Sequence, residues 1–250
     1  MDFATNKDYQ SILQSVKSNI AGIAWPTIII FFVSAFVIIT LQILYAKNQI
    51  HIIPHLIITS YFMYAMYTPL HEASHQNISG KNKKFRFLNP LFGFLSAAFY
   101  IHSYTQHTWS HLEHHKHAND DELDPDYIMK GSNWISIMAR GFFILLIKDY
   151  FYVRKEKLKN NNIAKIKMRI GTIESLIPIV MFVVLTNVFN LPWYHFFVSY
   201  VFPLLFAVML LGIFFDYLVH MPHVSTEKFG DTNVIRTKKW FDAPMTWIWL

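Results

Sequence analysis

Long stretches without a charged residue constrain the fold of this 250-residue chain more than any other feature. No Asp, Glu, Lys or Arg occurs in residues 18–46, in residues 48–71, or in the 41 residues of 175–215. An apolar helix of roughly 20 residues is long enough to cross a bilayer, and a helix satisfies its own backbone polar groups there. We therefore predict an all-α integral membrane protein in which the first two stretches each form one span and the third forms two.

The four predicted transmembrane helices form two hairpins, because the linker inside each pair is short. The spans are expected at residues 23–46 and 50–70 in the first hairpin, and at residues 173–188 and 194–219 in the second. Two shorter apolar pieces, 88–100 and 134–147, are predicted to be re-entrant or interfacial helices. Together with the polar segments beside them they form a histidine-rich helical cap, so that residues 1–250 make a single membrane domain.

The distribution of positive charge orients the predicted helices. Fifteen of the 22 Lys and Arg residues fall between Lys81 and Arg169, whereas one, Lys47, falls in the two turns inside the hairpins. Lys and Arg collect on the cytoplasmic side of membrane proteins. We therefore predict a multi-pass protein of a bacterial inner membrane whose cap faces the cytoplasm. Because the basic residues lie between spans, the net charge of +6 does not indicate a nucleic-acid partner.

Histidine is concentrated in the predicted cap. Eight of the thirteen histidines lie within 47 residues, two of them in HEASH (71–75) and six in IHSYTQHTWSHLEHHKH (101–117). Imidazole is costly to bury near a bilayer unless it binds a metal or finds hydrogen-bond partners. The chain has no cysteine, so imidazole and carboxylate are the metal ligands that remain. This concentration indicates a metal site.

The spacing of five histidines indicates more than one metal. His71 and His75 are four residues apart, and His111, His114 and His115 follow an i, i+3, i+4 pattern. On helices each set lies on a single face. Two such faces supply more imidazoles than one zinc site uses, and imidazole suits iron, zinc and copper alike.

HEASH also matches HExxH, the zinc-protease pattern in which Glu72 would be the general base. An intramembrane zinc metalloprotease is therefore an alternative interpretation. A non-catalytic membrane protein without a complete metal site is a second alternative.

The two histidine sets resemble those of the membrane-bound di-iron fatty acid desaturases and hydroxylases, a superfamily that includes carotenoid hydroxylases and ketolases. Their first box, HxxxH, is similar to the pair at 71 and 75, and their second, HxxHH, is similar to the trio at 111, 114 and 115. The segment HANDDELDPD (117–126) is similar to the one that follows this box in bacterial carotenoid hydroxylases and in some desaturases. His220, with Asp216 one turn earlier, is similar to a further histidine at the end of the family's last helix.

The resemblance covers roughly residues 50–250 and implies two iron ions held by six histidines: His71, His75, His111, His114, His115 and His220. Five more residues are candidates for additional ligands or for side chains that orient the ligands: Glu72, His107, His117, Asn119 and Asp216. The family's third histidine box, downstream of the last helix, has no counterpart before Leu250. The sequence is therefore expected to be a fragment that ends just before that box.

The implied activity is dioxygen-dependent desaturation or hydroxylation of a long apolar lipid, either a fatty acyl chain or a carotenoid. The segment 117–126 favours the carotenoid. Electrons are expected from an external donor of the ferredoxin or cytochrome type, because the chain has neither a nucleotide-binding glycine motif nor cysteine for an iron–sulfur cluster. The basic stretch 148–169 would suit an acidic donor or anionic lipid headgroups. The sequence carries no signal for an oligomeric state.

Overall fold

A computed structural model of the chain describes residues 22–130, 133–221 and 224–226, without the side chains of 143–145. Within these ranges the structure is helical and contains no strand, which confirms the predicted all-α fold. Its seven principal helices are α1 (Trp25–Ala46), α2 (Ile52–Ser74), α3 (Leu88–Ala98), α4 (Tyr104–His117), α5 (Trp134–Leu158), α6 (Asn162–Val188) and α7 (Tyr194–His220). Short 3₁₀ turns lie at Lys83–Phe85 and Tyr127–Met129, and α7 includes two π-helical segments, Phe197–Val201 and Gly212–Tyr217.

Three of the described helices, α1, α6 and α7, are long and apolar enough to cross a membrane. Helix α6 exposes a row of large apolar side chains, among them Ile173, Val180 and Val184, as expected of a surface that faces lipid. Helix α2 has the length of a span, 23 residues, but His55, Thr59 and Ser60 on its buried face reduce its apolarity. The fourth predicted crossing therefore stays a prediction, as do the cytoplasmic position of the cap and the extent of the single domain.

Helix α2 is the centre of the fold. It packs against α1, α3, α4 and α7, and Met63, Tyr64 and Leu70 are almost completely buried there. Two tyrosines hydrogen-bond to backbone carbonyls of α2: Tyr100 Oη donates to Met63, and Tyr104 Oη donates to Ala73 at 3.0 Å. These contacts fix the carboxyl end of α2, from which HEASH projects.

The amino terminus of α4 is held by a carboxylate from α6. Ser103 caps α4, its Oγ accepting a hydrogen bond from the Gln106 amide at 3.0 Å. Glu174 accepts from Ser103 Oγ at 2.6 Å, from the Thr105 amide at 2.9 Å and from Thr105 Oγ1 at 2.8 Å. A negative charge at a helix amino terminus is favourable because it meets unpaired amides and the positive end of the helix dipole. This arrangement sets the position of every histidine on α4.

Two predicted segments are longer in the structure than in the sequence pattern. Helix α5 continues past the predicted apolar piece to Leu158, and α6 starts at Asn162, well before the expected residue 173. The Asn161 side chain caps α6 by accepting from the Ile163 amide at 3.0 Å. The predicted boundaries were too short because they followed apolarity, and these helices extend into the basic stretch where apolarity ends.

Candidate metal centre

Helix α2 presents its two histidines at its carboxyl end. His71 lies in the last turn and His75 is the C-cap residue, so the i, i+4 spacing places both on one side. Their ring centroids are 4.6 Å apart. Both side chains are half-buried, so their ring nitrogens are accessible to a metal ion.

Helix α4 brings its histidines to the same place. His107, His111 and His114 are buried on the face of α4 that points into the protein. His115 is more exposed, but its Nε2 reaches to 3.1 Å from His111 Nε2. The predicted trio thus lies on one helix face, and His107 extends that face by one turn.

Four histidines from the two helices form one group, here called the four-histidine group: His71, His75, His111 and His115. Each offers a ring nitrogen within 4.8 Å of the nitrogens of the other three. His75 Nε2 lies 2.9 Å from His111 Nε2, and the rings of His71 and His111 are 4.7 Å apart. Two helices that are separate in sequence therefore converge, and the face that the spacing predicted on each helix points toward the other.

Burial favours the neutral form of three of these imidazoles. Burial and the neighbouring histidines together lower the pKa of His75 to about 4 and the pKa of His115 to about 3. The pKa of His111 falls well below its ordinary value for the same reasons. A metal binds the neutral form of imidazole, so near neutral pH these three histidines are in their binding form without first losing protons.

The group's chemistry fits a transition metal. His111 Nε2 faces His75 Nε2 at 2.9 Å and His115 Nε2 at 3.1 Å, and one proton can serve only one of these two pairs at a time. A single cation between the four rings would instead bind a lone pair from each of them. An all-imidazole donor set suits iron, zinc or copper and not magnesium or calcium.

A second group surrounds His114, and we call it the His114 group: His114, Asp124, Asp126 and His220. His114 Nδ1 donates to Asp124 Oδ1 at 2.7 Å, and its Nε2 lies 3.1 Å from Nε2 of His220 on α7. The Nε2 atoms of His114 and His220 thus face each other, and the Asp124 carboxylate holds the other ring nitrogen of His114. Carboxylate–imidazole pairs of this kind orient metal-bound histidines.

The His114 group differs from the four-histidine group in its charge. Burial would lower the pKa of His114, but the carboxylates of Asp126 and Asp124 outweigh burial and raise it to about 9. A metal must therefore displace a proton here, and the same carboxylates would balance its positive charge. The two groups are adjacent, since the rings of His111 and His114 are 6.3 Å apart.

A buried ionic network on α5 was missed by the sequence analysis. Asp149 Oδ2 accepts from His102 Nε2 at 2.8 Å and from His107 Nδ1 at 2.9 Å. Lys148 Nζ donates to Asp149 Oδ1 at 3.0 Å and to Asp126. Burial alone would raise the pKa of Asp149, but Lys148 and the two histidines hold it well below its ordinary value. No local sequence signal marks this Lys–Asp pair, because its partners come from distant segments.

Glu72 lies beside the four-histidine group and does not face an open metal position. Its Oε1 accepts from His71 Nδ1 at 3.0 Å, and its Oε2 accepts from Asn77 Nδ2 at 2.9 Å. Both oxygens are therefore engaged, and the carboxylate orients His71. A general base of the HExxH type has to reach a metal-bound water instead.

The remaining candidates lie around the His114 group or outside the site. The Asn119 amide donates to Asp124 Oδ2 at 2.8 Å, so Asn119 fixes the carboxylate that orients His114. Asp216 lines a small cavity together with His114 and His220. His117 is away from both groups, and its nearest charged neighbour is Glu113 at 3.7 Å.

Comparison with known proteins identifies one family. Residues 48–250 match the family model described as fatty acid desaturase, which covers both histidine groups and all helices from α2 to α7. Neither the curated proteins nor the solved structures give a match.

Proposed function

Because the chain belongs to the fatty acid desaturase family, we propose that it is a membrane di-iron oxidoreductase that uses dioxygen to desaturate or hydroxylate a long apolar lipid. The observation that carries this proposal is the convergence of His71 and His75 with the α4 histidines into one group of facing ring nitrogens. Membership of the family implies lipid oxidation, and the all-imidazole donor set suits iron among the transition metals.

We assign one iron to the four-histidine group and the second to the His114 group. His114 and His220 would hold the second iron, with Asp216 and Asp126 close enough to balance its charge. Bound iron supplies the one-electron and dioxygen chemistry that breaks an unactivated C–H bond, which no protein side chain can do alone.

The chain's own residues orient the imidazoles and shield the site from water. Glu72 holds His71 and Asp124 holds His114, so each ring presents its Nε2 inward. Tyr67 and Phe215 pack edge-on with ring centroids 4.7 Å apart, and Phe215 covers His71 at 4.9 Å. A lipid carbon that reaches the site passes this aromatic pair, which keeps it in an apolar surrounding.

The substrate is a fatty acyl chain or a carotenoid, and the segment 117–126 favours the carotenoid. It enters from the membrane, since the site lies where α2 and α7 end. Electrons come from an external ferredoxin or cytochrome. Apart from Lys148, which is engaged in the buried network, the basic residues of 148–169 on α5 and α6 form a docking surface for such a donor on the cytoplasmic side.

The proposal is tested by expressing the full protein in a bacterial host that makes carotenoids and analysing pigments and acyl chains together by mass spectrometry. A new double bond or hydroxyl group in either lipid class, lost in His111→Ala, is the expected result. Unchanged lipids despite confirmed iron loading would contradict the proposal. Cleavage of a membrane peptide by protein that holds one zinc would instead support the protease alternative.

A further inference from the structure

A small, partly open cavity lies between α2, α5 and α7, directly beside the four-histidine group. Four aliphatic side chains form part of its wall: Leu70, Leu146, Val208 and Leu211. Tyr67 and Phe215 line the cavity and also contact the ring of His71, with centroid distances of 6.0 and 4.9 Å. A molecule in this cavity is therefore one aromatic ring away from the imidazoles that we assign to iron.

His107 contributes an unsatisfied nitrogen to the polar wall of this cavity. Its Nδ1 donates to Asp149 at 2.9 Å, so the proton lies on Nδ1 and Nε2 keeps a lone pair. His107 is 4% exposed, and its Nε2 has no hydrogen-bond partner among the residues that the structure describes. A buried acceptor without a partner is costly, and where one persists it usually serves a ligand or an ordered water.

The charges in the same wall do not favour an anionic ligand. Among the described residues that line the cavity, Lys148 is the one lysine or arginine, and its ammonium already donates to Asp126 and Asp149. Asp216 adds a further carboxyl group. A lipid carboxylate or phosphate would meet three acidic side chains and a cation that is already paired, whereas a neutral group avoids this repulsion.

We propose that this cavity binds the polar end of a lipid that carries a neutral hydrogen-bond donor such as a hydroxyl group, and that His107 Nε2 accepts that hydrogen bond. The proposal deepens the proposed function, on which it rests, by naming the substrate class of the same site. The aliphatic wall takes the first carbons of the chain, and the donor fixes how far the chain enters.

The test uses the full protein, purified in detergent without added metal, and tritiated 1-hexadecanol as the probe. Unlabelled 1-hexadecanol, its methyl ether and hexadecanoate compete for binding. The ether keeps the oxygen and lacks only the O–H donor. We expect the alcohol to displace the probe at roughly tenfold lower concentration than either competitor, since one buried hydrogen bond is at stake.

Four variants localise the effect. His107→Phe should remove the difference between alcohol and ether, and His107→Gln should retain it because an amide can both donate to Asp149 and accept from the lipid. Leu146→Trp should abolish probe binding by filling the cavity. His195→Phe, a matched change near the opposite end of α7, should leave the preference unchanged.

Equal displacement by alcohol and ether in the unaltered protein would overturn the proposal, as would probe binding that survives Leu146→Trp. If His107→Phe fails to fold, the alcohol–ether comparison and Leu146→Trp decide the matter. Iron content, measured after part of each preparation has been loaded with iron, separates the two proposals. Two irons without an alcohol preference would refute only this inference, and a preference without iron binding would refute only the di-iron function.

Discussion

His111 is the residue on which the four-histidine group depends most. Its Nε2 lies 2.9 Å from His75 and 3.1 Å from His115, and its ring packs on those of His71 and His107. It therefore connects the imidazoles of α2 with those of α4. If His111 is lost, this connection between the two helices is lost as well.

Replacing His111 with Ala should remove about one iron per chain and reduce lipid oxidation by at least roughly 100-fold, because the first metal loses a ligand that no other side chain can replace. Metal analysis of the purified variant and product analysis provide the measurement. His195→Ala is the matched control and should keep both irons. Full iron content in His111→Ala would show that the metal lies elsewhere.

Asp126 and Asp124 together raise the pKa of His114, and Asp124 is the one that is hydrogen-bonded to its ring. Because the folded-state pKa of His114 is raised to about 9, its protonation stabilises the metal-free protein fully below pH 6.5. That stabilisation is lost as the pH rises through 9. Asp124→Asn removes a hydrogen-bonded carboxylate and should bring the pKa back toward its ordinary value.

The expected result is a thermal unfolding midpoint that falls between pH 7 and pH 9.5 in the metal-free protein and changes less in Asp124→Asn. Measuring both proteins in one detergent across this range checks the prediction. Asp121→Asn, a change in the same loop for which no bond to His114 is found, is the control. Identical pH profiles for Asp124→Asn and the unaltered protein would contradict the assigned pair.

The spacing of the histidines predicts which rings share a face, because helix periodicity is local and can be read from neighbouring residues. The carboxylates that orient these rings could not be predicted in this way. Asp149 pairs with His107 on α4 and with His102 in the loop before α4, and Lys148 pairs with Asp126 in another loop. Such pairings depend on tertiary packing, which no local pattern records.

Helices α4 and α6 are coupled through one carboxylate. Glu174 accepts three hydrogen bonds from Ser103 and Thr105 at the amino terminus of α4. Two glycines allow neighbouring helices to approach α4 closely. A Cβ at Gly171 on α6 would lie 2.3 Å from Gln106, and a Cβ at Gly93 on α3 would lie 2.2 Å from Tyr104. The lipid-facing helix α6 thus positions the helix that carries most of the site.

Glu174→Gln should lower the thermal unfolding midpoint by roughly 2–6 °C, because the charge-assisted bonds weaken and the change costs about 1–2 kcal/mol. Iron affinity should fall with it, since α4 loses its fixed start. Differential scanning calorimetry measures the unfolding midpoint, and iron titration measures the affinity. Glu156→Gln, which affects a pair with Lys159 near the end of α5, should leave both unchanged. A Glu174→Gln protein as stable as the original would refute this coupling.

The apolar stretches predicted the helices well, and the four-span topology is the part that they leave open. Helices α1, α6 and α7 have the length and apolarity of spans, whereas α2 carries polar groups such as His55, whose ring nitrogen lies 2.9 Å from the Ser199 carbonyl oxygen. Sequence hydropathy counts such a residue against a crossing. Inside the protein one of its ring nitrogens is hydrogen-bonded, and hydropathy alone does not take such a partner on another helix into account.

Single cysteines can establish the topology, because the chain has none of its own. With four spans, Asn48→Cys and Asn190→Cys should react with a membrane-impermeant maleimide in intact bacterial cells, and Asn160→Cys should react only after permeabilisation. With three spans, Asn48 and Asn160 would lie on the same side. Labelling of Asn160→Cys in intact cells together with Asn48→Cys would therefore contradict the four-span arrangement.

The molecule as a whole joins a lipid-facing helical frame to two adjacent histidine groups with different charge. Metal analysis combined with Mössbauer spectroscopy on the full protein, loaded with ⁵⁷Fe, tests this arrangement most directly. We predict two irons per chain in distinguishable environments, one with imidazole ligands alone and one with nearby carboxylates. A single bound zinc, or no retained iron after loading, would contradict it.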